Sequence, residues 1–318
     1  MTTVTTQIKL TPEHSARPGV SMRSRLQDAL PKIVLAPSFA ITIVFVYGFI
    51  LWTVYLSFTN SKTFPSYSLT GPRAYQRLWR WTFESDPPSS WYTSIINMGI
   101  FGFLYIFICL ALGLFLAILL DQKIRGEGML RPIYLYPMAL SFIVTGVAWK
   151  WFLDPGLGLE QTLHQWGWTS FHFDWIKNKD FVIYTVVIAG VWQASGFIMA
   201  MFLAGLRGID GEIMKAAQID GATTFQLYRR IVIPLLRPIF LSAFIVLAHL
   251  AIKSYDLVVA LTSGGPGGSA WLPSNFMYEY TFKRNEMAVG SASAVIMLMT
   301  ITAIIVPYLY SELRERPR

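Results

Sequence analysis

Charge is scarce in this chain. Of its 318 residues only 14% are charged while 54% are hydrophobic, where a soluble protein carries about 25% charged residues. That shortfall leaves much of the surface facing something other than water. Cysteine is nearly absent: Cys109 stands alone inside an apolar run, which excludes a disulfide framework. Histidine is sparse. His14, His164, His172 and His249 are scattered, with no His-Glu-x2-His spacing and no cysteine pair, so no metal site is expected. A Gly-x-Ser-x-Gly elbow is missing and no carboxylates pair on one helical face within an apolar run, so no catalytic residues are expected. The glycine-rich stretch Gly264–Gly268 lacks the lysine and following helix of a phosphate-binding loop. The formal charge of +8 is not gathered on an aromatic-interleaved motif, so no nucleic-acid partner is expected.

Long apolar runs are what the chain does have. A bilayer core is crossed by about 20 mostly apolar helical residues. Six segments meet that length: Ile33–Phe58, Ile95–Leu120, Ile133–Leu153, Phe181–Leu206, Ile239–Leu261 and Ala288–Tyr310. The first, second, fourth and sixth contain no charge. Buried helices of a soluble protein can look like this singly, but too little polar chain remains to cover all of them. The fold expected is all-α, a polytopic membrane protein of six transmembrane helices. A tail over 1–32 precedes the membrane domain over 33–310, and a second tail covers 311–318. Polar residues 1–30 followed by a long apolar run, without a small-residue cleavage site, read as a retained signal-anchor.

Orientation follows from lysine and arginine, which favour the cytoplasmic side. The tails and the second and fourth connections hold 16 of these residues, and the opposite loops hold 8. Both termini are therefore expected in the cytoplasm. Trp79, Trp81, Trp91, Trp166, Trp168 and Trp175 crowd the opposite loops, as interface aromatics do.

The connection between the fourth and fifth spans, residues 205–238, is more specific. Asp210 is placed to cap a short helix running from Glu212 to Ile219, and Gly221 to stop it. Thr223 or Thr224 is placed to cap a second helix that ends before Pro234. Ile213, Ala216, Ala217 and Asp220 fall on one face of the first. Paired alanines keep that face shallow, so another backbone can approach. Pattern alone fits an amphipathic helix resting on the membrane equally well.

The residues of this loop resemble the signature of binding-protein-dependent ABC importer permeases, Glu-Ala-Ala-x3-Gly followed by Ile-x-Leu-Pro. Ala216, Ala217, Gly221, Ile231 and Pro234 match, whereas Lys215 replaces the glutamate and Ile233 the leucine. Glu212 offers a carboxylate one turn earlier. Trp149–Gly158, Leu236-Arg237-Pro238 and Lys253–Gly268 are similar to maltose-type carbohydrate permeases. Ile133–Trp151 and Val191–Gly208 look most like glucose/mannose-type importers. The resemblance implies an inner-membrane complex of two permease chains, two cytoplasmic ATPase subunits and an external sugar-binding protein. It places ATP and Mg on the ATPase partner, with no cofactor on this chain. The loop would seat a coupling helix in an ATPase groove, through Glu212, Lys215, Ala216, Ala217, Asp220, Gly221, Ile231 and Pro234.

Polar residues inside spans are costly and mark candidate substrate contacts. Asn97 and Gln193 serve either interhelical hydrogen bonding or sugar binding. His249 serves packing or the substrate. Lys253 and Asp256 are helical neighbours that can pair, or Lys253 can snorkel outward with Asp256 neutralising it. Two other classes fit these residues less well. A membrane-embedded enzyme would need catalytic groups that these loops lack, and a self-sufficient secondary transporter would need internal repeats and a buried proton relay.

Overall fold

The computed structural model describes residues 22–84, 90–122 and 126–315. His14 and much of both expected tails lie outside these residues, as do Lys9, Arg17, Lys123, Arg125, Arg316 and Arg318 from the orientation count. Among the described residues every regular element is helical, and one isolated bridge joins Thr59 to Leu69. The chain divides into two compact units, one ending at Trp52 and the other starting at Thr53.

From the first unit, α1 (Met22–Ile41) runs through a π-turn (Thr42–Tyr47) into α2 (Gly48–Ser57), and the division at Trp52 falls inside α2. Thr42 Oγ1 donates to the Ser38 carbonyl at 2.9 Å where the turn begins, the back-bonding that loosens a helical ladder. Val34–Ser57 is long and apolar enough to cross a membrane.

After the end of α2, the second unit continues with α3 (Arg73–Glu84), then α4 (Ser90–Asp121). Next come α5 (Glu127–Ala139), α6 (Phe142–Phe152), α7 (Leu159–Gln165) and α8 (Val182–Arg207). The connection that follows holds α9 (Gly211–Ile219), α10 (Thr224–Leu227) and α11 (Ile233–Leu235). The chain ends in α12 (Arg237–Ile252), α13 (Tyr255–Thr262), α14 (Pro273–Tyr278) and α15 (Met287–Glu315).

The centre of the unit is α4 packed along α8. Gly190 lies against the Tyr105 ring, and a Cβ on Gly113 would come 2.7 Å from Ile198 Cγ2. At the far end Arg207 Nε stands 3.9 Å from Asp121 Oδ1. These pairs advance together along both helices, so α4 and α8 run parallel. Parallel neighbours require the chain between them to cross back, and the bent α5–α6 pair is the stretch there long and apolar enough to do so. Close approach of this kind, through small residues, is how helices gain dispersion energy where apolar burial itself gains nothing.

The expected third span is not one straight helix. Gly128–Ala139 and Phe142–Phe152 meet at 101°. Pro132 and Pro137 weaken the ladder of α5, Leu140 is extended, and Ser141 starts α6 by accepting from the Val144 N–H at 3.3 Å. Backbone freed inside a membrane needs a partner, and Gln193 on α8 supplies one, its Nε2 donating to the Leu140 carbonyl at 2.8 Å. At the same level Gly196 sits directly on the Tyr134 backbone.

The expected fifth span, Ile239–Leu261, is also broken. Its first part is α12, which meets the helical stretch Thr224–Leu235 at 64°. α12 stops at Ile252, and Lys253 and Ser254 separate it from α13, which packs across α6. A Cβ on Gly146 would come 2.6 Å from Ala260 Cβ and 3.0 Å from the Leu261 nitrogen. Among the described residues four unbroken helices have the length and apolarity of spans, and the number is six when each bent pair counts as one span.

Candidate functional site

The connection after α8 builds α9 from both ends. Asp210 is extended and its Oδ1 accepts the Glu212 N–H at 2.9 Å. At the other end Gly221 adopts φ +78°, a left-handed turn that costs glycine little. Its N–H reaches the Gln218 carbonyl at 3.1 Å, and the Ala222 N–H reaches Ala217 at 3.0 Å. Together these form a Schellman stop. Thr223 then caps α10 in a reciprocal box with Gln226.

The second helix does not end before Pro234. It passes through a π-turn (Tyr228–Val232) and α11 to Leu235, where the bend into α12 begins. Pro234 has no N–H to donate, and the wider π register ahead of it takes up the interrupted ladder. Ile231 and Pro234 are both half-buried.

α9 presents two faces. Ala217 is buried and joins the main apolar cluster with Leu206, Leu227 and Val232. Ile213, Ala216 and Asp220 are exposed, as are Ile219, 85% open, and Phe225, 71% open. The structure therefore divides the expected Ala-Ala pair, with one alanine fastening the helix to the bundle and the other on its open side. Lys215 Nζ lies 3.2 Å from Glu212 Oε1, with both side chains exposed, an arrangement worth little energetically.

Asn97 and Gln193 are buried, and their amide N–H groups go to backbone. Asn97 Nδ2 donates to Ser269 O at 2.7 Å and Trp271 O at 3.0 Å, tying α4 to the glycine-rich turn. Gly264, Gly265, Gly267 and Gly268 all have positive φ there, and the Trp271 ring lies against Gly264 and Gly268. Gln193 holds the α5–α6 break, and its Oε1 is buried without a partner.

His249, Lys253 and Asp256 are exposed on the second unit. Among the described residues no ion pair joins Lys253 to Asp256. The expected helical spacing fails because the helix breaks between them: Lys253 closes α12 and Ser254 opens α13. Beside Asp256, the Tyr255 ring meets Tyr278 of α14 at 4.9 Å. A separate apolar cavity of about 580 Å³ opens at the α5–α8 contact, with Tyr134, Trp149 and Trp192 in its wall.

The histidines are not all scattered. One ligand atom each from Glu160, His164 and His172 lies within 4.8 Å of the others. Glu160 and His164 are four residues apart on α7, a spacing that sequence alone displays. The loop that returns His172 to them leaves no such mark.

Residues 109–315 match the family of binding-protein-dependent transport system inner membrane components. A probable ABC transporter permease protein of Pyrococcus horikoshii is 41% identical over 290 residues, covering 90% of this chain and 97% of that protein. The xylose/arabinose import permease of Haloferax volcanii is 37% identical, covering 65% of this chain and 66% of its own. The trehalose/maltose permease of Thermococcus litoralis is 27% identical, covering 87% and 91%. The fold matches a bacterial ABC transporter that imports alginate, with TM-score 0.77 at 16% identity over 93% of this chain and 99% of that one. The chain is thus a multi-pass inner-membrane protein and belongs to the family of binding-protein-dependent transport system inner membrane components.

Proposed function

We propose that this chain is the permease subunit of a sugar importer, moving a monosaccharide such as glucose or mannose into the cytoplasm. Its partners are a second permease chain, two ATPase subunits that hold ATP and Mg, and an external sugar-binding protein. Both termini face the cytoplasm, which the excess of lysine and arginine in those segments supports. α9 is the coupling helix, and the observation that carries this is its two-sidedness. Ala217 anchors it in the apolar cluster while Ile213, Ala216, Ile219 and Asp220 stay open. A force applied to the open side passes through packed side chains into α8 and α12. The ATPase must grip this face differently in its two states, because equal contact would shift no equilibrium.

Support for a monosaccharide comes from the sequence runs Ile133–Trp151 and Val191–Gly208. It comes also from the higher identity to the xylose/arabinose permease than to the trehalose/maltose permease. The sugar passes the α12–α13 break, where His249, Lys253 and Asp256 supply polar groups and Tyr255 with Tyr278 an aromatic face.

Reconstituted complex tests both parts. Ile219→Asp on the open face is expected to reduce sugar-stimulated ATP hydrolysis about tenfold, as loss of a central interface contact does. Full stimulation would remove α9 from the coupling role. In vesicles, labelled glucose or mannose is expected to accumulate. Accumulation of maltose with no monosaccharide uptake would overturn the substrate assignment.

A further inference from the structure

We propose that Glu160, His164 and His172 form a binding site for a divalent transition metal of the zinc class, pinning α7 to the chain segment that follows it. One ligand atom from each residue lies within 4.8 Å of the other two. Glu160 Oε1 and His172 Nδ1 are already 3.2 Å apart. Ligand atoms bound to zinc at about 2.0–2.1 Å sit about 3.4 Å from one another in a tetrahedron, so the trio closes by side-chain rotation. Two imidazoles and one carboxylate select zinc-like ions over calcium or magnesium, which prefer all-oxygen sets.

The surroundings orient the ligands as metal sites require. His164 Nε2 meets the Phe171 carbonyl at 2.7 Å. A carbonyl only accepts, so Nε2 carries the proton and Nδ1 keeps the lone pair. Metal-bound histidines ordinarily hand their second N–H to such an acceptor. Glu160 is held by the Phe173 N–H, which reaches Oε2 at 3.0 Å. The His164 and His172 rings meet edge to face with centroids 5.6 Å apart, so α7 and the segment after it are packed together here. Metal binding through His172 Nδ1 takes the neutral ring with its N–H on Nε2, and water completes the fourth position.

Tag-free complex, stripped with EDTA and dialysed, is titrated with Zn²⁺ by calorimetry and with Co²⁺ by visible absorption. One equivalent per copy of this chain is expected, with the strong visible bands of tetrahedral Co²⁺. Excess Mg²⁺ or Ca²⁺ should not compete. His172→Ala removes an exposed side chain and should leave the fold intact while weakening Zn²⁺ binding at least tenfold. His164→Ala should do the same, and His249→Ala should bind as the parent does. Absence of binding in the parent, or binding unchanged in His172→Ala, overturns the site.

Discussion

Asn97 and Gln193 carry the same amide on neighbouring helices, and both aim its N–H groups at carbonyls of a non-helical segment. Asn97 bridges Ser269 and Trp271, while Gln193 caps Leu140. Each carbonyl left without a donor costs about 1–3 kcal/mol. Asn97→Ala is therefore expected to lower the unfolding temperature of the detergent-purified complex. Uptake should fall only as far as the amount of folded complex falls, with KM for sugar unchanged. A raised KM at normal stability would instead make Asn97 a sugar contact. The sequence marks both residues as out of place in an apolar run, but their partners lie 172 and 53 residues away. Local pattern has no access to such distances, so at this scale the residue is legible and its use is not.

Elements show the same division differently. The ends of α9 were legible because Asp210, Gly221 and Thr223 act on backbone within a few positions of themselves. Which alanine turns inward was not, because that depends on how α9 meets Leu206 and Val232. Ala217→Trp is expected to disrupt packing and lose folded protein, overfilling a well-packed site at about 1–3 kcal/mol. Ala216→Trp should leave yield and unfolding temperature near the parent and act on ATPase stimulation alone. Equal loss of stability in both variants would refute the two-faced description of α9. Broken spans were illegible for a related reason: hydropathy records side chains and ignores backbone direction. The run around Leu140 stays apolar while the chain turns. The α6–α13 contact makes a sharp test, since Gly146→Leu drives a side chain into Ala260 and the Leu261 backbone. Such a variant should assemble poorly, and full assembly with normal transport would contradict the close approach.

Taken as a whole, the molecule turns its large apolar side chains outward as readily as inward. Phe103 and Phe107 on α4 are 69% and 61% exposed, a surface that suits lipid or a partner chain and is ruinous in water. Sequence composition made this legible at once, because it needs no contacts. Sidedness is subtler, since the lysine and arginine asymmetry is a bias summed over many residues, several of them outside the described structure. A labelling experiment reads it directly, and the chain is well suited to one. Cys109 is its single cysteine and is fully buried, so introduced thiols report without a reactive background. Leu157→Cys, before α7, replaces a side chain 81% exposed, and Ile219→Cys, on α9, one 85% exposed. With α8 as a span, the connection before it and α9 after it lie on opposite sides of the membrane. With an impermeant maleimide, Leu157→Cys is expected to label in intact cells and Ile219→Cys only after permeabilisation. The reverse pattern would place α9 outside, away from any cytoplasmic ATPase. Labelling of both in intact cells would mean that α8 does not cross.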